Sequence, residues 1–127
     1  MDVIVRRVFK HGKSYSITIP RKWDIPDVLN VYSNGDYIVY SPIKGLEGIF
    51  NVRFVTQVKK RAGISKRKYR YYLLTIPVEV VERTKLPLGA EVLVLKTTVL
   101  NDIVLVCITK EDLYKHAILS LVKGETS

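Results

Sequence analysis

The sequence holds one cysteine, one methionine and one glutamine. A single cysteine, Cys107, has no partner for an internal disulfide, and its place in the apolar run Ile103 to Ile108 reads as a buried strand thiol. With two distant histidines, His11 and His116, it makes no metal site. No Ser/His/Asp or paired-carboxylate pattern stands out either, so no catalytic residue and no cofactor is expected, and the chain does not read as an enzyme. No apolar stretch approaches the ~20 residues of a membrane span. The opening Met1-Asp2-Val3-Ile4-Val5-Arg6-Arg7 lacks the charged-then-apolar layout of a secretion signal. These absences predict a soluble, cytoplasmic protein with no membrane partner. Scarcity of thermolabile side chains beside abundant Lys, Ile, Val and Tyr points to a hot environment, hence an archaeal or thermophilic source.

A missing glycine settles another point. Gly12-Lys13-Ser14 looks like the tail of a nucleotide-binding phosphate loop, but that loop needs a second glycine five positions earlier, and Arg7 stands there. The loop should also open a helix. Instead Tyr15-Ser16-Ile17-Thr18-Ile19 alternates polar and apolar residues of β-favouring type. The stretch reads as the turn of a basic hairpin.

Acid is the last scarcity. The net charge is +9 on a chain that is 47% hydrophobic, enough for a core. Residues 1–22 carry six Lys/Arg against Asp2 alone, and residues 53–70 carry eight against no acid. Subtracting these 14 from 21 basic residues and one from 12 acidic residues leaves seven basic and 11 acidic residues elsewhere. All the excess positive charge therefore lies in two segments, which points to an anionic partner.

Those segments open two copies of one unit. Ser16-Ile17-Thr18-Ile19-Pro20 is echoed by Leu73-Leu74-Thr75-Ile76-Pro77. Each T-I-P follows a basic segment and a β-like run. Each precedes a short helix-compatible segment, a glycine turn and an apolar strand: Ser33-Asn34-Gly35-Asp36 feeds Tyr37 to Tyr40, and Leu86-Pro87-Leu88-Gly89 feeds Val92 to Leu95. Each half thus reads strand, basic turn, strand, Pro-started helical turn, glycine turn, strand, strand, and a unit this small must share its core with the other. The expected organisation is a first repeat at 1–52, a second at 53–108, and a C-terminal helix and tail at 109–127. Pro26 should interrupt the first helical segment, Arg21 to Leu29.

A basic strand and turn, T-I-P, a short helix, then Leu-x-x-Gly-x-x-Val and a strand pair resembles the AbrB/SpoVT swapped-hairpin domain of bacterial and archaeal transcription regulators and MazE-type antitoxins. Here it occurs twice in tandem. The resemblance implies a mainly β fold: a swapped-hairpin β-barrel pseudo-dimer made by the chain's own halves, with short helices and a C-terminal helix. It further implies that the basic hairpins face double-stranded DNA, giving a transcription regulator associated with the nucleoid.

Groove chemistry assigns roles on that surface. Arg can donate a bidentate pair to guanine while Lys neutralises phosphate. Arg6, Arg7, Arg67 and Arg70 are candidate base readers. Lys10, Lys13, Lys59, Lys60, Lys66 and Lys68 are candidate phosphate clamps, with Arg61 in the same run. Arg21 and Lys22 follow Pro20 at a helix start, where the second copy has Val78-Glu79. His11 sits in the first basic turn, as phosphate contact or bystander. Tyr15 and Tyr72 read as core packing and Trp23 as a core anchor. Tyr69 and Tyr71 stay open between packing and the stacking of single strands or RNA.

Thr109-Lys110-Glu111-Asp112 reads as a helix cap, with Leu113, Ala117, Ile118 and Leu121 at helical spacing and Gly124 as its stop. That face could pack on the barrel or join two chains into a homodimer. In an antitoxin the segment after the swapped hairpin would bind a toxin. This one is short and nearly neutral, which ranks that alternative below regulator.

Overall fold

The computed structural model describes residues 2–33, 37–46, 53–57, 59–62 and 69–126, with the backbone alone at 53–57, 59–62, 69–70, 116 and 122–126. Among the described residues ten strands follow one another: β1 (Asp2–Arg7), β2 (Phe9–His11), β3 (Ser14–Pro20), β4 (Val28–Ser33), β5 (Tyr37–Ser41), β6 (Arg53–Gln57), β7 (Lys59–Ala62), β8 (Tyr69–Ile76), β9 (Glu91–Val99) and β10 (Asp102–Thr109). A 3₁₀ turn (Arg21–Trp23) and helix α1 (Val78–Thr84) follow β3 and β8, and α2 (Lys110–Thr126) closes the sequence. The fold is mainly β.

The strands form two antiparallel sheets. One has the order β1-β9-β10-β5-β4-β6, the other β2-β3-β8-β7. Numbered by halves, β6 to β10 repeat β1 to β5, and both orders read the same from either end when the halves are exchanged. Each half lends its first strand to the other: β1 pairs with β9, and β6 pairs with β4. The register of β3 on β8 keeps the same symmetry. Thr18 and Thr75 lie 57 positions apart, and Ile17 pairs with Leu74, the residue 57 positions beyond it. A local two-fold relation therefore passes between Ile17 and Leu74.

Among the described residues no barrel closes, which corrects the sequence expectation. The six-stranded sheet ends on β1 and β6 and the four-stranded sheet on β2 and β7, whereas closure would require the outer strands to pair. The physical reason sits at Val8, between β1 and β2. Its N-H donates to Ala90 O at 2.9 Å, and its carbonyl accepts from Gly89 N-H at 2.8 Å. The turn of the second half thus takes both main-chain groups of Val8, ends the pairing of β1 and sends the chain into the other sheet. Gly89 makes this possible with φ of 83°, at the third position of a turn in which Ala90 N-H donates to Pro87 O at 3.1 Å. The first half's Asn34-Gly35 turn lies outside the described residues.

Both sheets turn one face to a single core. Ile17, Ile19, Tyr72, Leu74 and Ile76 come from the four-stranded sheet, and Leu29, Val31, Ile38, Tyr40, Val94, Leu105 and Cys107 from the six-stranded one. Trp23, Ile25, Val80 and Leu86 from the connections fill the ends. Tyr72 and Trp23 are buried as the sequence predicts, and Tyr15 packs against the core from a half-buried position. The Tyr40 hydroxyl crosses the core and donates to Thr75 O at 3.0 Å, so its burial leaves no donor unpaired.

The first helical segment is shorter than expected. Only Arg21–Trp23 is helical, because Asp24 turns left-handed at φ 47° and Ile25 precedes Pro26, whose ring disfavours helix at the residue before it. The second half has no such proline and completes α1 before Lys85 turns left-handed at φ 53°. At α2, Asp112 N-H donates to Thr109 Oγ1 at 3.1 Å and the threonine hydroxyl donates to Asp112 Oδ2 at 2.9 Å, the reciprocal cap expected there. The helix then runs past Gly124 to Thr126.

Cys107 is buried, and burial pushes its thiol from 9.0 up to about 12. Burial, with a smaller contribution from Cys107, also raises Tyr40 well above its ordinary value. Folding favours the protonated forms. Stability is therefore fully present below about pH 9 and is lost as pH rises toward 12, by up to about 1.4 kcal/mol per pH unit for the thiol alone. Thermal melts between about pH 8 and pH 11 check this, and an unchanged Tm above about pH 9.5 would contradict it.

Candidate nucleic-acid interface

The turn of the β2–β3 hairpin is built by Gly12. His11 pairs with Ser14, so Gly12 and Lys13 make a two-residue loop, with positive φ (62°) at the first position alone. That is the type II′ pattern, whose twist matches its flanking strands and which wants glycine first. Lys10, His11 and Lys13 all stand exposed on this hairpin.

The two arginines of β1 have structural partners. Arg6 is half-buried; its Nε donates to Thr18 O at 2.9 Å and its Nη1 to Val5 O at 3.1 Å, bracing β1 against β3 and thus one sheet against the other. Arg7 is exposed and pairs through Nη2 with Glu91 Oε1 at 3.0 Å, while Lys110 Nζ reaches Glu91 Oε2 at 3.3 Å. Exposed pairs of this kind contribute under about 1 kcal/mol and yield readily to a phosphate.

The second hairpin is longer. β7 pairs with β8 so that Lys59, Lys60 and Arg61 stand opposite Leu73, Tyr72 and Tyr71. The register then shifts, because Ala62 pairs with Tyr69, and Arg70 is the extra residue of a bulge. Bulges re-aim a strand, here next to the basic turn. Lys66, Arg67 and Lys68 lie outside the described residues.

The relation between the hairpins comes from β3 and β8, which pair antiparallel from Tyr15↔Ile76 to Pro20↔Tyr71. The two hairpins therefore point to opposite ends of the four-stranded sheet. From Ser14 to Pro20 the strand covers roughly 20 Å at ~3.3 Å per residue. The same pairing brings the 3₁₀ turn of the first half against β8, and α1 against β3. Exposed Arg21 and Lys22 thus stand at the end of the second hairpin, with the exposed Tyr71 opposite both Pro20 and Arg61. Exposed Val78, Glu79 and Glu82 stand at the end of the first, where Lys13, Tyr15, Pro77, Val78 and Glu82 help wall a cleft of about 580 Å³.

This crossing of halves is what sequence reasoning missed. The sequence counts Arg21 and Lys22 with Lys10 and Lys13 in one basic segment, residues 1–22. The structure separates them by the length of a strand and joins them to the other hairpin. The signal was present only in the register of Ile17 on Leu74, which no local pattern specifies. Among the described residues no helix is long and apolar enough to cross a membrane, and no three His, Cys, Asp or Glu cluster as metal ligands.

No family model, curated protein or solved structure matches the chain.

Proposed function

We propose that this protein binds duplex DNA through its two basic β-hairpins and acts as a transcription regulator, its paired halves forming an intramolecular pseudo-dimer of the AbrB/SpoVT swapped-hairpin type. The observation that carries this reading is the coincidence of charge and symmetry. Of the 14 basic residues in the two segments, Lys10, Lys13, Lys59, Lys60, Arg61 and Arg70 belong to the two hairpins and Arg21 and Lys22 to the 3₁₀ turn, while Arg6, Arg7 and Arg53 lie on β1 and β6, and two-fold-related strands set the hairpins at the two ends of one sheet. The exchange of β1 and β6 between halves supports the swapped-hairpin part of the proposal.

Duplex DNA presents one phosphate charge per ~1.7 Å of axis, so the ~20 Å of β3 that lies between the two hairpin turns alone spans about a dozen phosphates. Contacts to ~6 to 10 of them would give a log-log salt slope of about −5 to −9. Fluorescence anisotropy with random duplex and single-stranded oligonucleotides across a salt series tests this directly. Duplex preference with that slope is the expected result. Binding to neither at low salt would remove nucleic acid from consideration.

A second reading rests on Tyr71, whose ring is exposed beside the Arg21-Lys22 turn. Aromatic rings among cations stack unpaired bases, worth ~1 to 3 kcal/mol per base. Preference for single strands in the same titration, lost on Tyr71→Ala, would favour it.

A further inference from the structure

The cleft at the end of the first hairpin lies between two walls. Lys13 and Tyr15 line it from the β2–β3 hairpin, and Val78, Val81 and Glu82 line it from α1, which the pairing of Tyr15 with Ile76 brings alongside. Its apolar surface is left partly in water: Tyr15, Pro77 and Val81 are half-buried, and Val78 is 61% exposed. Lys13 and Glu82 are exposed at the same cleft with opposite charges, yet neither is ion-paired, with the other or with any described residue. An ammonium and a carboxylate thus flank an apolar surface without neutralising each other.

The duplicated half shows that folding does not require this surface. Val78 is answered 57 residues earlier by Arg21, which also follows a proline and is also exposed. The unit accepts a cation at the point where the second half leaves a valine in water. A concave apolar surface that the scaffold can do without, with a few charges converging on it, is the composition of a ligand site.

We propose that this cleft binds a small zwitterion with an apolar body, the chemistry of a free hydrophobic amino acid. The ligand's carboxylate meets the Lys13 ammonium, its ammonium meets the Glu82 carboxylate, and its side chain lies on Tyr15, Val78 and Val81. Charge-assisted hydrogen bonds at both ends fix the orientation, while the apolar wall gains from burial. The volume, about 580 Å³, falls within the ~300 to 1,000 Å³ of small-molecule sites. A phosphate chain brings anions alone and would meet Glu82, so nucleic acid does not suit the cleft. Binding here is independent of DNA, and the protein alone serves to test it.

A ligand of about a dozen heavy atoms in an open cleft is expected to bind with a dissociation constant of about 0.1 to 1 mM. Titrating L-phenylalanine into the isotope-labelled full chain to about 20 mM, followed by amide chemical shifts, should give saturable changes at residues 13–15 and 76–82. Phenethylamine, which lacks the carboxylate, and hydrocinnamate, which lacks the ammonium, should each bind about fivefold more weakly or worse. Glycine, with both charges and no apolar body, should not saturate. Glu82→Gln should weaken L-phenylalanine about fivefold and leave hydrocinnamate unchanged, a difference that a merely structural role for Glu82 would not produce. Lys13→Gln should spare phenethylamine in the same way. No saturable change with L-phenylalanine, changes centred away from the hairpin turn and α1, or equal binding of L-phenylalanine and its two half-molecules would each overturn the proposal. So would an unchanged L-phenylalanine affinity in Glu82→Gln.

Discussion

Replacing Leu74 by Ala should cost about 3 kcal/mol of unfolding free energy, lower Tm by roughly 10 °C, and do so for both halves of the chain in a single transition. Leu74 is fully buried and pairs with Ile17 across the two-fold seam of the four-stranded sheet. It shares one core with Trp23 and Tyr40 from the first half and Val94 and Leu105 from the second. Truncating it removes transfer free energy and leaves a cavity that strands anchored on both sides cannot collapse to fill. The sole tryptophan reports on the coupling. Trp23 belongs to the first half, yet Lys96 Nζ of β9 lies 5.9 Å from its ring centroid, so its fluorescence senses the second half as well. Fluorescence and far-ultraviolet circular dichroism should therefore give coincident transitions before and after the substitution. Two separable transitions, or an unchanged fluorescence midpoint, would show that the halves do not share one core.

That shared core was legible in the sequence only as an arithmetic need. A unit of about 50 residues buries too little surface to stand alone, and the T-I-P echo said that there were two of them. Strand identity was readable for the same local reasons: alternation in Tyr15 to Ile19, the apolar run around Cys107, and glycine at Gly12 and Gly89, where positive φ is required. Thr109 and Asp112 announced the cap of α2 by type and spacing. The pairing of β1 with β9 had no such signal, because Val3, Ile4 and Val5 would suit any neighbouring strand. The absence of closure also depends on a non-local event, the capture of Val8 by the Gly89 turn. The basic segments were visible by composition, but the roles within them were not. Arg6 differs from Arg7 in the sequence by one position, and that one position turns its guanidinium under β3 while Arg7 stays in solvent. The amphipathic spacing of α2 was legible as well, though not the direction in which the helix leaves the sheet, which a cap and one ion pair decide.

The sharpest test of the proposed interface exploits the asymmetry between its two ends. Position 21 corresponds to 78 and position 22 to 79, each 57 residues on, so Arg21 and Lys22 in one half are answered by Val78 and Glu79 in the other. All four side chains are exposed and follow a proline at the same point of the unit. If the ends of the four-stranded sheet face DNA, the end with Arg21 and Lys22 contributes phosphate contacts that the end with Val78 and Glu79 lacks. Arg21→Ala with Lys22→Ala should flatten the salt slope by about 2 and weaken duplex binding about 30-fold or more near physiological salt. Val78→Arg with Glu79→Lys should do the reverse, steepening the slope by about 1 to 2 and tightening binding about tenfold, since it adds two cations and removes an anion. Neither pair contributes a buried side chain, so the melting curve should barely move. A non-specific effect of net charge would make the gain depend only on the number of charges added. The control is therefore an equal change of three charges on the other sheet, Thr98→Lys with Asp102→Lys at the β9–β10 turn, both exposed. Binding that responds equally to the control, or does not respond to the 21–22 and 78–79 pairs, would place the DNA surface elsewhere; a response confined to those pairs would locate it at the two ends where the halves cross.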